Sequence, residues 1–468
     1  MTTRVMRVRG CLLAVLGLTM GVWAAEPKKD MPSTEGSASP PASSKNAGNA
    51  ATSQATTSSD WPQWQGPDRT GEAVRSPALL SAIPKTGLKP VWEFVPDPFD
   101  PKISSSYASP VSALGRAYYR FQQITVVEGA PAGSKPDLDD AMPDLDDALA
   151  CLNVDDGKLL WTFKVPSGPA AYKAPNTPCV MAGRLYFVGS QSTVFCLDAS
   201  TGAEIWRNDL KTTCGAKKGF FASSILATES RVIVCGAGTM ALDAKDGTIV
   251  WRNEAASVEV ASPVLWRHNN NTYVITGPII VKRKARSDCL DMRDGKTIWS
   301  VPFGNEHLAG SPVVCGDTMV TLFVKMDGEG LRVFKLALDA PREIVFIPMG
   351  ITHNSASMTS VVSKGMVYGW GTEPDGYFCY NIEEGRFAWR SPGVGGCAGN
   401  PILADGKLIL PNGSLIDPTT GKVLVKGFCR PKSHVSPALA DGRFLVNTEK
   451  GLQCYDLRAP GGSGAEKP

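Results

Sequence analysis

The sequence predicts an all-β chain, an eight-bladed β-propeller of four-stranded antiparallel blades. Three observations predict it. A strand-turn-strand unit recurs at a period of roughly 45 residues, the spacing of stacked supersecondary units. Eight short polar openers each introduce a further strand pair: Ser109, Thr177, Ser223, Ser262, Ser311, Ser357, Asn400 and Ser436. An orphan Trp strand, Val91-Trp92-Glu93-Phe94, precedes the first opener, and the last unit, ending at Cys454-Tyr455-Asp456, lacks its own Trp strand. The Trp92 strand is therefore expected to complete the last blade and close the ring.

Each unit reads as a small-apolar-acid triplet, a Gly turn, then Trp. Copies are Cys151-Leu152-Asn153 with Gly157 and Trp161, and Cys196-Leu197-Asp198 with Gly202 and Trp206. Further copies are Ala241-Leu242-Asp243 with Gly247 and Trp251, and Cys289-Leu290-Asp291 with Gly295 and Trp299. Cys379-Tyr380-Asn381 with Gly385 and Trp389 is a fifth, and Leu415-Ile416-Asp417 with Gly421 is a weaker sixth. The glycine supplies the positive φ that a tight hairpin needs, and the Trp restarts an extended segment with a large apolar anchor. Most openers are followed by Pro, which fits the first residue of a strand because its missing N–H is not needed there. A lone blade cannot bury both faces, so neighbours must stack around a ring. The fifth unit, after Ser311, is degenerate: Val333-Phe334-Lys335-Leu336 and Val345-Phe346 follow without a Gly turn or a Trp.

The ends have a different composition. Arg4, Arg7 and Arg9 precede an apolar run from Cys11 to Val22 that ends at Ala24-Ala25. Residues 1–25 read as a secretory signal peptide, too short for a membrane span. Residues 26–60 contain no Val, Ile, Leu, Phe, Tyr or Trp and read as a disordered Ser/Thr/Ala/Pro-rich linker. The propeller spans 61–458, with an acidic insertion at about 124–148, and 459–468 is expected to be a flexible tail. The expected product is exported, periplasmic or extracellular, and monomeric, with no stable membrane insertion. Without the three leader arginines the basic residues, 48 in the whole chain, fall to the acidic count of 45. A neutral chain argues against a nucleic-acid partner.

Of 12 cysteines, one lies in the signal peptide, so an odd number remains. Cys151, Cys196, Cys289, Cys379 and Cys454 share one register and read as small apolar residues packed between blades. Cys214, Cys235, Cys397 and Cys429 fall outside it and are the better disulfide candidates. No Cys-x-x-Cys with His partners suggests zinc.

The repeats resemble the PQQ-like propeller repeat of quinoprotein alcohol dehydrogenases and of the assembly lipoprotein BamB. The resemblance runs from about Trp61 to Arg458. Asp60-Trp61-Pro62-Gln63-Trp64-Gln65-Gly66-Pro67-Asp68-Arg69-Thr70-Gly71 is similar to the entry motif of exported, planctomycete-type PQQ-like proteins. The resemblance implies eight blades and does not by itself imply a quinone. The adjacent Cys-Cys pair of quinoprotein dehydrogenases is absent from the sequence, and so is a match to their catalytic Asp and calcium cluster.

Chemistry is expected where the segments before the openers converge on one channel mouth. The candidate ligand-binding residues there are Tyr107, Lys173, Lys218, His307, His353, Asn354, Lys432 and His434. Three of the four histidines fall in this set, and histidine can bind metal or move protons near neutral pH. The lysines suit an anionic or sugar-like ligand, against the plainer reading of a solvated rim. In the insertion, Asp137, Asp139, Asp140, Asp144, Asp146 and Asp147 form a weak calcium candidate, against a solvated acidic loop, and no Gly supplies a calcium loop's sharp turn. Trp61 and Trp64 are expected to pin the N-terminal segment onto the propeller. No catalytic residue and no cofactor is assigned. The expected function is a non-catalytic binding or scaffold protein for a protein or cell-envelope partner. The alternative is a PQQ-dependent dehydrogenase, with calcium, or another enzyme active at the mouth.

Overall fold

The computed structural model describes residues 59–84, 87–99, 106–125, 145–167, 176–215, 223–258, 261–277, 279–281, 284–304, 308–324, 330–349, 359–372, 375–392 and 399–460. Its strands form eight sheets, and among the described residues the one helix is the single turn Leu210–Cys214. Blades 1 to 7 occupy 111–166, 179–209, 226–253, 264–304, 313–348, 361–392 and 402–425 in chain order. Blade 8 takes three strands from 438–456 and its outer strand from Trp92–Phe94, with Trp92 opposite Cys454. The ring closes as the orphan strand required.

The repeated triplet is explained by its turn. The Asp198 carboxylate accepts the backbone N–H groups of Ser200 and Thr201 at 2.9 and 2.8 Å. Asn153, Asp243, Asp291, Asn381 and Asp417 accept from their own turns in the same way. These bonds, with that of the Thr201 hydroxyl, hold the Asp198 carboxyl below its usual range. Beyond each turn the outer strand carries a bulge, and the Trp lands opposite the Cys or Ala of the triplet: Trp161 on Cys151, Trp206 on Cys196, Trp251 on Ala241 and Trp389 on Cys379. The cysteines of that register are buried, as small packing residues should be.

Each Trp packs on the turn of the following blade. A Cβ on Gly202 would lie 2.6 Å from the Trp161 ring, and one on Gly247 2.5 Å from Trp206. The indole N–H donates to the turn of that following blade: Trp92 to the Val154 carbonyl at 2.9 Å, Trp206 to Ala244 at 3.1 Å and Trp251 to Met292 at 2.9 Å. Trp161 covers Gly202 without this bond, because the Tyr118 hydroxyl takes the equivalent Ala199 carbonyl at 2.9 Å. Blade 5 breaks the pattern on both sides. It offers no Gly turn, and the Trp299 indole N–H has no acceptor among the described residues. Val345 stands where its Trp would be, opposite Val333, so the blade 6 turn at Gly385 meets nothing closer than the Tyr380 hydroxyl at 4.0 Å.

The openers are hydrogen-bonding links between blades. The Thr177 hydroxyl accepts from Ser109 N–H at 3.1 Å, Ser262 from Ser224 at 3.1 Å and Ser311 from Ser262 at 2.8 Å. The Asn400 amide oxygen accepts from Thr359 N–H at 2.6 Å, Ser436 from Asn400 at 3.1 Å and Ser109 from Ser436 at 3.2 Å. A small side chain with an oxygen is what this link needs. Two openers are corrected by it. Ser224 and Thr359 occupy the linking position, two residues before their strands Leu226–Ala227 and Val361–Ser363. Ser223 instead donates to the Ala261 carbonyl, and Ser357 lies outside the described residues.

Candidate functional site

The two ends of the channel differ. At one end the segment from Trp61 to Ala73 lies across the inner strands as a strap. Trp61 pairs with Ser112 of blade 1 through two backbone bonds of 2.8 and 2.9 Å, and the Pro62 carbonyl accepts from Val180 of blade 2 at 2.7 Å. The Thr70 and Gly71 carbonyls accept from Val362 of blade 6 and Leu403 of blade 7 at 3.1 and 2.9 Å. Glu72–Ala73 then adds a parallel strand to blade 7. Ser112, Val180, Val362 and Leu403 each lie three residues beyond an opener, so the strap crosses the inner strands on the side away from the openers.

Trp61 and Trp64 are buried under the strap, as expected of residues that pin it. Arg69 was not singled out by the sequence. The residue is 2% exposed. It donates to Gln63 Oε1 at 2.9 Å, to the Pro263 carbonyl of blade 4 at 2.8 Å and to the Ile225 carbonyl before blade 3. Burial pulls its pKa down to about 10, opposed by the thiols of Cys179 and Cys235.

At the opener end, the structure describes three of the eight predicted site residues. Lys432 and Tyr107 come together: the ammonium lies 4.9 Å from the Tyr107 ring centroid, and it donates to Glu449 at 3.2 Å. Lys432 is buried, so it is a paired interblade cation and not a solvated rim residue. Its backbone N–H donates to the Asn447 carbonyl at 2.8 Å, and the Asn447 amide donates to the Ala108 carbonyl at 2.9 Å. This ties blade 8 to the segment entering blade 1. His434 is exposed in a left-handed turn at φ 65. Lys173, Lys218, His307, His353 and Asn354 lie outside the described residues.

The acidic insertion needs a correction. Asp146 and Asp147, both calcium candidates, lie on the strand Leu145–Asn153, opposite Gln123 and Gln122. Asp147 is buried and pairs with buried Arg120 at 3.4 Å. It also accepts from Ser190 N–H at 2.6 Å, the Ser190 hydroxyl at 2.8 Å and Gln122 at 3.2 Å. Arg120 reaches the Asn176 side chain and its carbonyl, just before the Thr177 opener. Asp147 is therefore committed to a protein cation between blades 1 and 2, while Asp146 accepts from the Thr125 hydroxyl at 3.0 Å. Asp137, Asp139, Asp140 and Asp144 lie outside the described residues. Sequence reading missed the pair because Arg120 and Asp147 are 27 residues apart and meet only once strand register is set.

Cys214 and Cys235, two of the disulfide candidates, are free thiols, and Cys235 is buried beside the Thr239 hydroxyl at 3.6 Å. The Cys429 thiol lies 3.5 Å from the Pro411 carbonyl, and Cys397 lies outside the described residues.

The family model described as outer membrane protein assembly factor BamB matches residues 145–321 and 241–342. Residues 145–342 of the chain are thus similar to the repeats of that family. BamB from Moraxella catarrhalis superposes with TM-score 0.50 at 13% identity, covering 79% of this chain and 99% of that one. The quinohemoprotein alcohol dehydrogenase from Comamonas testosteroni gives TM-score 0.55 at 15% identity, over 87% and 81%. A europium-containing methanol dehydrogenase gives 0.53 at 12%, over 82% and 89%. At these identities the likeness is one of fold. No curated protein sequence matches this chain.

Among the described residues no group of three or more His, Cys, Asp or Glu could hold a metal ion. Nor is any helix among the described residues long and apolar enough to cross a membrane.

Proposed function

We propose that this propeller is an exported, non-catalytic binding protein that presents its outer rim to a protein partner of the cell envelope. One observation carries the reading. The outer strands place an exposed aliphatic residue immediately before the inward anchor: Val91, Leu160, Ile205, Val250, Ile344 and Leu424 precede Trp92, Trp161, Trp206, Trp251, Val345 and Val425. Their exposure runs from 37% at Leu424 to 49% at Val91, so six blades carry an apolar side chain at one height around the circumference. The recurrence of these exposed side chains at one register of successive outer strands supports a protein-binding rim. The polar side chains described at the opener end support the same reading. Lys432, Asp147 and the openers are spent on joining blades, which leaves them a structural role. The name of the matching family model, an assembly factor, points the same way.

The test places a photo-cross-linking residue at Leu160, Ile205 or Ile344 in the exporting cell. A single envelope protein cross-linked from the rim, and lost when Leu160→Glu and Ile205→Glu are combined, is the expected result. Retention of added PQQ and Ca²⁺ through gel filtration, with dye reduction by alcohols or sugars, would overturn the reading in favour of a dehydrogenase.

A further inference from the structure

One interface of the ring lacks its clamp. Gly157, Gly202, Gly247, Gly295 and Gly421 are each covered by the Trp of the preceding blade, and a Cβ on any of them would lie 2.4–2.6 Å from the indole. In four of the five the indole N–H also donates to a carbonyl of the turn it covers: Val154, Ala244, Met292 or Pro418. These five glycines are buried or half-buried. Gly385 holds the same turn in blade 6 and is exposed, with only the Tyr380 hydroxyl, at 4.0 Å, near the position of a Cβ. The reason lies in blade 5, where Val345 stands in place of the Trp. The Ile382 carbonyl holds the position of the four acceptors, and no donor reaches it among the described residues.

The surface left open is apolar and aromatic. Val345, Ile382 and Phe387 are half-buried and pack on the core that joins blades 5 and 6. Phe387 meets the Tyr380 ring edge to face, with centroids 5.2 Å apart. Tyr380 occupies the place of Leu152, Leu197 and Leu242 in other triplets, so blade 6 builds a larger wall there than its neighbours do. The turn glycine beside that wall stays exposed. Ile344, 41% exposed, lies immediately before Val345, which makes the opening continuous with the apolar rim. The linker at 26–60 and the tail at 459–468 cannot supply an indole, because neither contains an aromatic residue.

The geometry points to a socket for a tryptophan side chain of a partner protein, seated over Gly385 between blades 5 and 6. The chain itself sets the occupant, because it covers the same turn with an indole at five other interfaces. The partner's indole rests on Gly385 and donates its N–H to the Ile382 carbonyl. Tryptophan is among the residues that carry most of the binding energy when it fills a pocket at the centre of an interface. The inference rests on the reading of the rim as a protein-binding surface, and it names the anchor that the partner brings.

N-Acetyltryptophanamide is the probe. Ligand-observed NMR on the purified protein is expected to show saturable binding with a dissociation constant of roughly 0.1–1 mM. Gly385→Ala keeps the turn but puts a Cβ where the indole would lie, and is expected to abolish that binding. Val333→Ala combined with Val345→Trp makes room for an indole of the chain's own over the glycine. This double variant is expected to exclude the probe and to raise Tm. In the cell, Gly385→Ala is expected to remove the cross-link formed from Ile344. Probe binding that is absent from the wild-type protein, or unchanged in Gly385→Ala, overturns the socket. A cross-link from Ile344 that survives Gly385→Ala also overturns it, and leaves the rim reading standing. No cross-link from any rim position, with the probe still bound over Gly385, instead overturns the rim reading and with it the partner's tryptophan.

Discussion

The indole of Trp206 lies flat on Gly247, closing the interface between blades 2 and 3. A Cβ at that glycine would sit 2.5 Å from Trp206 Cε3, and the residue holds φ 76. Gly385 holds a similar φ of 66 with nothing above it nearer than 4.0 Å. Gly247→Ala and Gly385→Ala thus carry similar backbone strain, but only the first also forces an indole out of place. Gly385→Ala is expected to cost about 1 kcal/mol and Gly247→Ala about 3 kcal/mol. Urea unfolding of the two variants checks this, and equal losses would show that the clamp contributes nothing beyond the turn.

The Arg120–Asp147 pair predicts an asymmetry. Asp147→Ala leaves a buried guanidinium without its carboxylate and is expected to cost about 3–5 kcal/mol. Arg120→Met combined with Asp147→Leu removes both charges and is expected to recover most of that loss. Chemical denaturation of the single and double variants measures it. A double variant no better than Asp147→Ala would mean that the hydrogen bonds from Ser190 and Gln122 outweigh the charge.

Thiol reactivity follows burial. Cys151, Cys235 and Cys454 are pushed up to about 12 and Cys196 to about 11, each mainly by burial, whereas Cys315 is exposed. The thiolate is the nucleophile, so the buried four stay protonated and shielded at pH 8. Brief treatment of native protein with a maleimide is expected to label Cys315 and spare them, and labelling in urea to reach all five. Peptide mapping reads the outcome.

Acid should loosen the turns. The carboxyls of Asp198 and Asp417 sit below their usual range through hydrogen bonds from their own turns. A carboxyl lowered in the folded state contributes stability that is present above its unfolded pKa of about 4. That contribution disappears as pH falls through the lower folded value. The urea midpoint is therefore expected to hold between pH 7 and 5 and to drop below pH 4. Asp198→Asn, which keeps an acceptor but cannot titrate, is expected to show a shallower drop in the same window.

The ring was legible because its determinants repeat. Trp161, Gly202 and Asp198 each do one local job, so periodicity exposes them without any long-range information. The closure by Trp92 was legible for the same reason, as a missing strand at one end and a surplus strand at the other. Ser223 and Ser357 misled because an opener without its Pro leaves several nearby serines or threonines equivalent in sequence. Only the bonds to Ser262 and Asn400 choose Ser224 and Thr359. Asp147 read as part of a solvated acidic run because its cation is on a neighbouring strand. Arg69 stayed hidden because its partners lie 156 and 194 residues further on, and a lone arginine in a polar motif carries no pattern. Of the mouth residues, Lys432 lies 4.9 Å from the Tyr107 ring centroid.

The pairing of Trp92 with Cys454 sets an order of events during synthesis. The Trp92 strand emerges early and has no partner until nearly the whole chain has followed it. The strap likewise cannot settle until blades 6 and 7 exist. Neighbouring blades can assemble as they appear, but the circle stays open, with the Trp92 edge unpaired, until the final strand arrives. The longest interval of vulnerability to proteases and to wrong pairing thus falls just before completion. A chain truncated in its last blade is expected to be lost as a whole, while one cut before the strap loses none of the described fold.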